Sequence, residues 1–189
     1  TQYEINRSPL QLAMRRFKQN KLAMVGLMFI IVISLAAIFA PLLTDHDPTR
    51  GDLMLVGEQP SPTHILGTDS SGRDNFARLL YGARVSLTIG FSAMLFTLMI
   101  GLVLGAISGY CRGKVDSIIM RFTDLVLALP FLVLALTIIA VLERVTIGIF
   151  VMVIAITSWP TLTRIVRGTF LSLREQEFVL GARAIGARD

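Results

Sequence analysis

Four long apolar blocks dominate the chain, and polar residues collect between them rather than alternating with them. The first block, Leu22 to Leu43, reads LAMVGLMFIIVISLAAIFAPLL. The second runs from about Val85 to Ser108, the third from about Ile118 to Leu142, and the fourth from about Ile147 to Leu162. A helix needs about 20 mostly apolar residues to cross a bilayer core. Barrel strands would alternate apolar with polar positions, and these blocks do not. The pattern predicts an all-α polytopic membrane protein, a helical bundle of about four transmembrane helices. The first block is preceded by Arg15, Arg16, Lys18 and Lys21, as a signal peptide would be. A signal core is only about 7–15 residues, so this longer block is expected to be retained.

The segments between the blocks set the orientation. The chain has 18 Lys and Arg. Thirteen fall on one side: Arg7, Arg15, Arg16, Lys18, Lys21, Arg112, Lys114, Arg121, Arg164, Arg167, Arg174, Arg183 and Arg188. The other side has five: Arg50, Arg73, Arg78, Arg84 and Arg144. The positive-inside rule then makes the N-terminus cytoplasmic. The expected organisation is a cytoplasmic segment 1–21, a first helix 22–43, an extracytoplasmic loop 44–84, a core of three helices 85–167 and a cytoplasmic segment 168–189. Pro, Gly and Asp clusters make the loop turn-rich. Its end, SSGRDNFARLLYGARVSL, predicts an interfacial helix capped by Ser70 or Ser71, followed by a turn into the second span.

Composition agrees. The chain is 189 residues long, 53% hydrophobic and 16% charged, against about 25% charged in soluble domains. Its net charge of +5 follows from the cytoplasmic loops and requires no nucleic acid. Cys111 is the single cysteine, so no disulfide can form within the chain.

Catalytic signatures are missing where they would be needed. GYCRGKVD, Gly109 to Asp116, has three residues between its glycines and Val115 after Lys114, so it fails the phosphate-loop spacing. His46 and His64 lie far apart in sequence, and Asp45-His46-Asp47 reads as a solvated acidic turn rather than a metal site. No Ser or Cys has a nucleophile setting. The chain is expected to be no enzyme, with no metal and no cofactor.

Other positions point to packing and movement. Gly101, Gly105 and Gly109 recur every four residues and would line a flat groove. A helix of this chain or of a partner subunit could fill it. Arg121 and Asp124, three apart on the third span, form a candidate intramembrane pair. Pro130 and Pro160 are expected to kink the third and fourth spans. In the closing segment, Phe178, Ala182 and Ile185 fall at helical spacing, with Val179, Gly181 and Ala184 beside them and Gly186 allowing a turn. That predicts a short cytoplasmic helix with a small face. Such a face fits a cleft on another protein or a membrane surface.

The closing phrase FVLGARAIGA, Phe178 to Ala187, resembles the cytoplasmic signature of the permease subunits of bacterial ABC importers. That signature reads E-A-A-x-x-x-G, and the dipeptide and oligopeptide branch carries it within F-V-x-A-A-R-A-x-G-A. Here Leu180 stands for the glutamate and Gly181 for the first alanine, while Ala182 and Gly186 match. LGTDSSGRDNFARLLYGARVSL (Leu66–Leu87), the stretch Gly109 to Leu136, and FKQNKLAMVGL near the N-terminus are also similar to the C-type subunit of that branch. The resemblance implies a type I permease fold in the bacterial inner membrane and a pathway for dipeptides or oligopeptides. It implies three kinds of partner besides lipid: a second permease subunit, two ATP-binding subunits and an extracytoplasmic substrate-binding protein. It makes Phe178, Val179, Gly181, Ala182, Arg183, Ala184 and Gly186 the face of a coupling helix that docks on an ATP-binding subunit. Family members continue to an I-x-L-P motif and usually two more spans, so the chain is expected to be part of the working subunit. A nickel or other small-solute permease, a membrane scaffold and a channel are the rival readings.

Overall fold

A computed structural model describes residues 9–111, 113–142 and 146–186. Arg7, Arg112, Arg144, Ala187, Arg188 and the side chain of Arg183 lie outside the described residues. The chain forms two compact units, Thr1–Leu87 and Thr88–Asp189.

In the first unit, α1 (Pro9–Gln19) precedes α2 (Lys21–Ile38). Asn20 separates them and caps α2, its side-chain oxygen accepting the Ala23 N–H at 3.2 Å. This cap supplies a partner for one of the orphan donors at a helix start. The periodicity of α1, with Arg16 and Lys18 in its last turn, went unread in the sequence. α2 is apolar on every side, and Leu22, Val25, Met28 and Phe29 are exposed. An all-round apolar helix of this length suits lipid as its solvent. The expected span to Leu43 breaks at Phe39, and α3 (Ala40–Leu43) follows. Pro41 is the cause: it has no N–H, and its ring clashes with the carbonyl four residues back.

The loop after α3 is held by its own polar groups. Thr68 Oγ1 donates to the Leu55 carbonyl and accepts the Glu58 N–H. Asp69 accepts the N–H groups of Ser71 at 2.8 Å and Arg73 at 3.0 Å. Its carboxylate also pairs with the side chains of Arg73 and Arg78. Gly72 has φ +70, and a Cβ there would collide with the Asp52 backbone.

Next comes α4 (Asn75–Cys111), one helix of 37 residues. This corrects the expected interfacial helix and turn. The cap is Asp74, whose Oδ1 accepts the Ala77 N–H at 2.6 Å. Ser70 and Ser71 instead sit in the Asp69 turn. No proline interrupts the following stretch, and Gly82 costs a helix only about 1 kcal/mol, too little to break it.

In the second unit, α5 (Gly113–Ala128) and α6 (Phe131–Val141) meet at an 85° bend. Pro130 breaks this span rather than merely kinking it, because it disfavours helical geometry at Leu129 and cannot donate. α7 (Ile147–Arg174) instead continues through Pro160, which is buried. It runs past the expected end at Leu162, so residues counted in the closing segment belong to this helix. Thr146 caps it through the Ile149 N–H at 3.3 Å. α8 (Glu177–Ala184) follows.

The glycine groove of α4 receives α7 of the same chain. A Cβ on Gly101 would lie 2.8 Å from Leu162 Cβ, one on Gly105 2.6 Å from Val166 Cβ, and one on Gly109 2.5 Å from Phe170 Cβ. Each step of four along α4 meets a step of four along α7 in the same direction. The two helices therefore run parallel, as expected of spans that both cross from outside to inside. Thr163 lies fully buried in the seam and donates to the Gly101 carbonyl at 3.5 Å. Among the described residues, α2, α4 and α7 are each long and apolar enough to cross a membrane, and the bent α5–α6 pair makes a fourth if it counts as one span. The protein is an all-α, multi-pass membrane bundle.

Candidate functional site

The end of α7 and the start of α8 carry the candidate site. α7 closes with a tightened turn, the Glu175 N–H bonding the Ser172 carbonyl at 3.2 Å and Gln176 N–H the Leu173 carbonyl at 3.2 Å. α8 starts at once, with the Val179 and Leu180 N–H groups on the Gln176 carbonyl at 3.0 and 3.1 Å. The Ile185 N–H bonds the Gly181 carbonyl at 3.2 Å, and Gly186 then turns left-handed at φ +92. Only glycine takes that conformation without a steric cost.

α8 has two apolar directions. Val179 and Ala182 are half-buried. Gly181, Ala184 and Gly186 are exposed, and so are Phe178 at 69%, Leu180 at 53% and Ile185 at 88%. Leu180 and Ile185 stood outside the expected docking set. A cavity of about 300 Å³ lies between the helices, lined by Gly109, Tyr110, Phe170, Leu173, Phe178 and Val179.

Polar clamps tie this region to the bundle. Asp116 of α5 accepts Arg167 Nε at 2.6 Å and Nη2 at 2.7 Å, a two-pronged pair. Ser108 of α4 donates to the same carboxylate at 2.5 Å. One acidic side chain thus joins α4, α5 and α7. Arg174 adds a bond from its guanidinium to the Tyr110 carbonyl at 3.1 Å. Phe122 of α5 stacks on Trp159 of α7, ring centroids 5.8 Å apart.

The expected pairing of Arg121 with Asp124 is replaced. Asp124 takes Arg164 of α7 as partner at 2.5 Å, and both are exposed. Arg121 is also exposed, on α5. A cation on the facing helix meets the carboxylate without crowding a single turn. Sequence reasoning missed Asp116, Ser108 and Arg167. Asp116 stood in the discarded phosphate-loop stretch, and nothing local linked it to a residue 51 positions away.

The loop of the first unit brings together residues the sequence kept apart. The rings of His46 and His64 stack with centroids 4.7 Å apart. His64 Nδ1 lies 2.8 Å from Asp74 Oδ2, and His46 Nε2 lies 3.0 Å from the Thr63 carbonyl. Burial acts to raise the Asp74 carboxyl, but the Ala77 N–H and then His64 outweigh it and hold it below the usual value.

Two family descriptions match the chain. Residues 8–62 match the N-terminal TM domain of oligopeptide transport permease C. Residues 101–189 match the binding-protein-dependent transport system inner membrane component. The oligopeptide transport system permease protein OppC of Bacillus subtilis (strain 168) is 44% identical over 178 residues, covering 93% of this chain and 57% of the relative. The dipeptide transport system permease protein DppC of the same organism is 39% identical over 176 residues, covering 93% of this chain and 55% of the relative. DppC of Haemophilus influenzae is 36% identical over 187 residues, covering 96% and 63%. The chain spans a little over half the length of these relatives. It belongs to the OppC/DppC family of inner-membrane transport permeases, whose members are permeases rather than enzymes.

Proposed function

We propose that this permease forms part of the membrane pathway of an ATP-driven importer for dipeptides or oligopeptides, and that α8 is its coupling helix. The observation that carries the reading is α8 itself: a short helix with exposed Phe178 and Leu180, followed by the exposed Ile185 and the left-handed Gly186. Its position on the basic side of the membrane supports a cytoplasmic partner. The partners are two ATP-binding subunits beneath the membrane, a second permease subunit beside this one and an extracytoplasmic substrate-binding protein.

The chain supplies motion rather than chemistry. An ATP-binding subunit seats α8. ATP binding draws the paired subunits together and carries the seated helix with them. α8 follows α7 after a tight turn, and α7 is locked to α5 and α4 through Arg167, Asp116 and Ser108. A push on α8 therefore reaches three helices. Packed helices move as units because their interiors do not deform smoothly.

The test is Gly186→Val in the full-length subunit assembled with its partners. A β-branched residue forced into that backbone costs about 1–3 kcal/mol, which scales to roughly 5- to 150-fold in a coupled population. Peptide uptake is expected to fall within that range while membrane insertion and ATP hydrolysis persist. Undiminished uptake would rule out the coupling role.

A further inference from the structure

We propose that His46, His64 and Asp74 form a binding site for a divalent transition-metal cation of the zinc class. Each residue offers a ligand atom, and these atoms all lie within 4.8 Å of one another. Zinc holds nitrogen and oxygen ligands at about 2.0–2.2 Å, which sets ligand atoms roughly 3.4 Å apart in a tetrahedron. Closing that gap needs side-chain movement of the order of an ångström. The exposed ring of His46 has room to make it.

The surroundings are those of a ligand set. Metal-bound histidines usually donate their second ring N–H to a carbonyl or carboxylate. His46 Nε2 already donates to the Thr63 carbonyl at 3.0 Å, which leaves Nδ1 with its lone pair. His64 faces Asp74 through Nδ1 and Glu58 through Nε2, the latter at 3.9 Å from Glu58 Oε2. That Glu58 oxygen is buried and has no hydrogen-bond partner. A cation taking the place of the proton between His64 Nδ1 and Asp74 Oδ2 accounts for it. The proton moves to Nε2, neutral His64 keeps one proton, and Nε2–H faces Glu58 Oε2, which accepts it once the 3.9 Å gap closes by about 1 Å. Asp74 is held in place by the Ala77 N–H on its other oxygen at 2.6 Å.

Charge and access fit as well. His64 and Asp74 are buried, while His46 opens onto a cavity of about 520 Å³. Asp45, Asp47 and Asp52 line the same cavity, opposed by Arg50. Such a lining favours a cation, and the open side admits a water as fourth ligand.

The experiment titrates the purified full-length protein in detergent with Co²⁺ alone, followed by its visible absorption, and then displaces it with Zn²⁺. The expected result is one Co²⁺ per chain with the intense bands of a four-coordinate site. His46→Gln, which removes the ring at an exposed position while its amide can still donate to the Thr63 carbonyl, should weaken binding at least tenfold. Cys111→Ser should leave it unchanged. Three results would each overturn the proposal: no saturable binding at millimolar Co²⁺, binding undiminished in His46→Gln, or binding abolished in Cys111→Ser.

Discussion

Gly105 shows how much one missing side chain decides. A Cβ there would lie 2.6 Å from Val166 Cβ and 2.8 Å from the Thr163 carbonyl oxygen, so α7 would have to move. Gly105→Leu should destabilise the bundle by about 1–3 kcal/mol, the usual range for overpacking, read as a lower melting temperature in detergent. Gly82→Ala is the contrast, because nothing lies within 4 Å of its added methyl. It should be neutral or stabilising by up to about 1 kcal/mol. Equal effects from the two changes would refute the packing argument. Asp69 sets a pH response in the loop. The Arg73 N–H holds its carboxyl below the ordinary 3.8; slight burial opposes this and the Ser71 N–H adds to it. A depressed folded value means the stabilisation is present above 3.8 and is lost as pH falls through that lower folded value. The exchange protection factors of Ser71 and Arg73, referred to the intrinsic rate at each pH, should therefore hold above that range and drop only below it.

Among elements, what the sequence disclosed depended on how local the cause was. The four apolar blocks are visible because bilayer thickness imposes their length, and the GxxxG spacing is visible because it repeats within one helix. The identity of the helix filling that groove was not, since Leu162, Val166 and Phe170 lie far along the chain. The continuity of α4 was hidden by a competition of caps. Ser70 and Ser71 are good candidates by type, yet Asp69 and Gly72 draw them into a turn and leave the capping to Asp74. Pro130 and Pro160 look alike in sequence, but one breaks a span at 85° and the other sits buried inside an unbroken helix. The α4–α5–α7 clamp makes a quantitative claim. Removing one partner of a mostly buried, hydrogen-bonded pair costs about 3–5 kcal/mol in full burial. Arg167 is about a third exposed, with side-chain accessibility of 31%, so roughly half of that is expected for Arg167→Met. Asp116→Asn combined with it should cost less than the two singles added together. Strict additivity in thermal unfolding would mean the pair does not couple the helices.

At the scale of the whole molecule, family membership and the exposure of α8 support one proposal: that this permease is moved from the cytoplasmic side through a short, exposed helix. The fold class and the family phrase were legible because membrane spans and the FVLGARAIGA stretch are both continuous in sequence. The exposure of Phe178 and Leu180 beside the half-buried Val179 and Ala182 was not, because it depends on where α7 ends. The exposed surface of α8 at Leu180 can be examined by chemistry. With the exposed Cys111 changed to Ser, Leu180→Cys places a single thiol on that surface of the full-length subunit. Cross-linking is then measured in membranes that hold the assembled transporter. The account predicts a covalent product joining this subunit to an ATP-binding subunit, with the thiol shielded from a soluble maleimide. A thiol that labels freely in the assembled complex and yields no such product would contradict it.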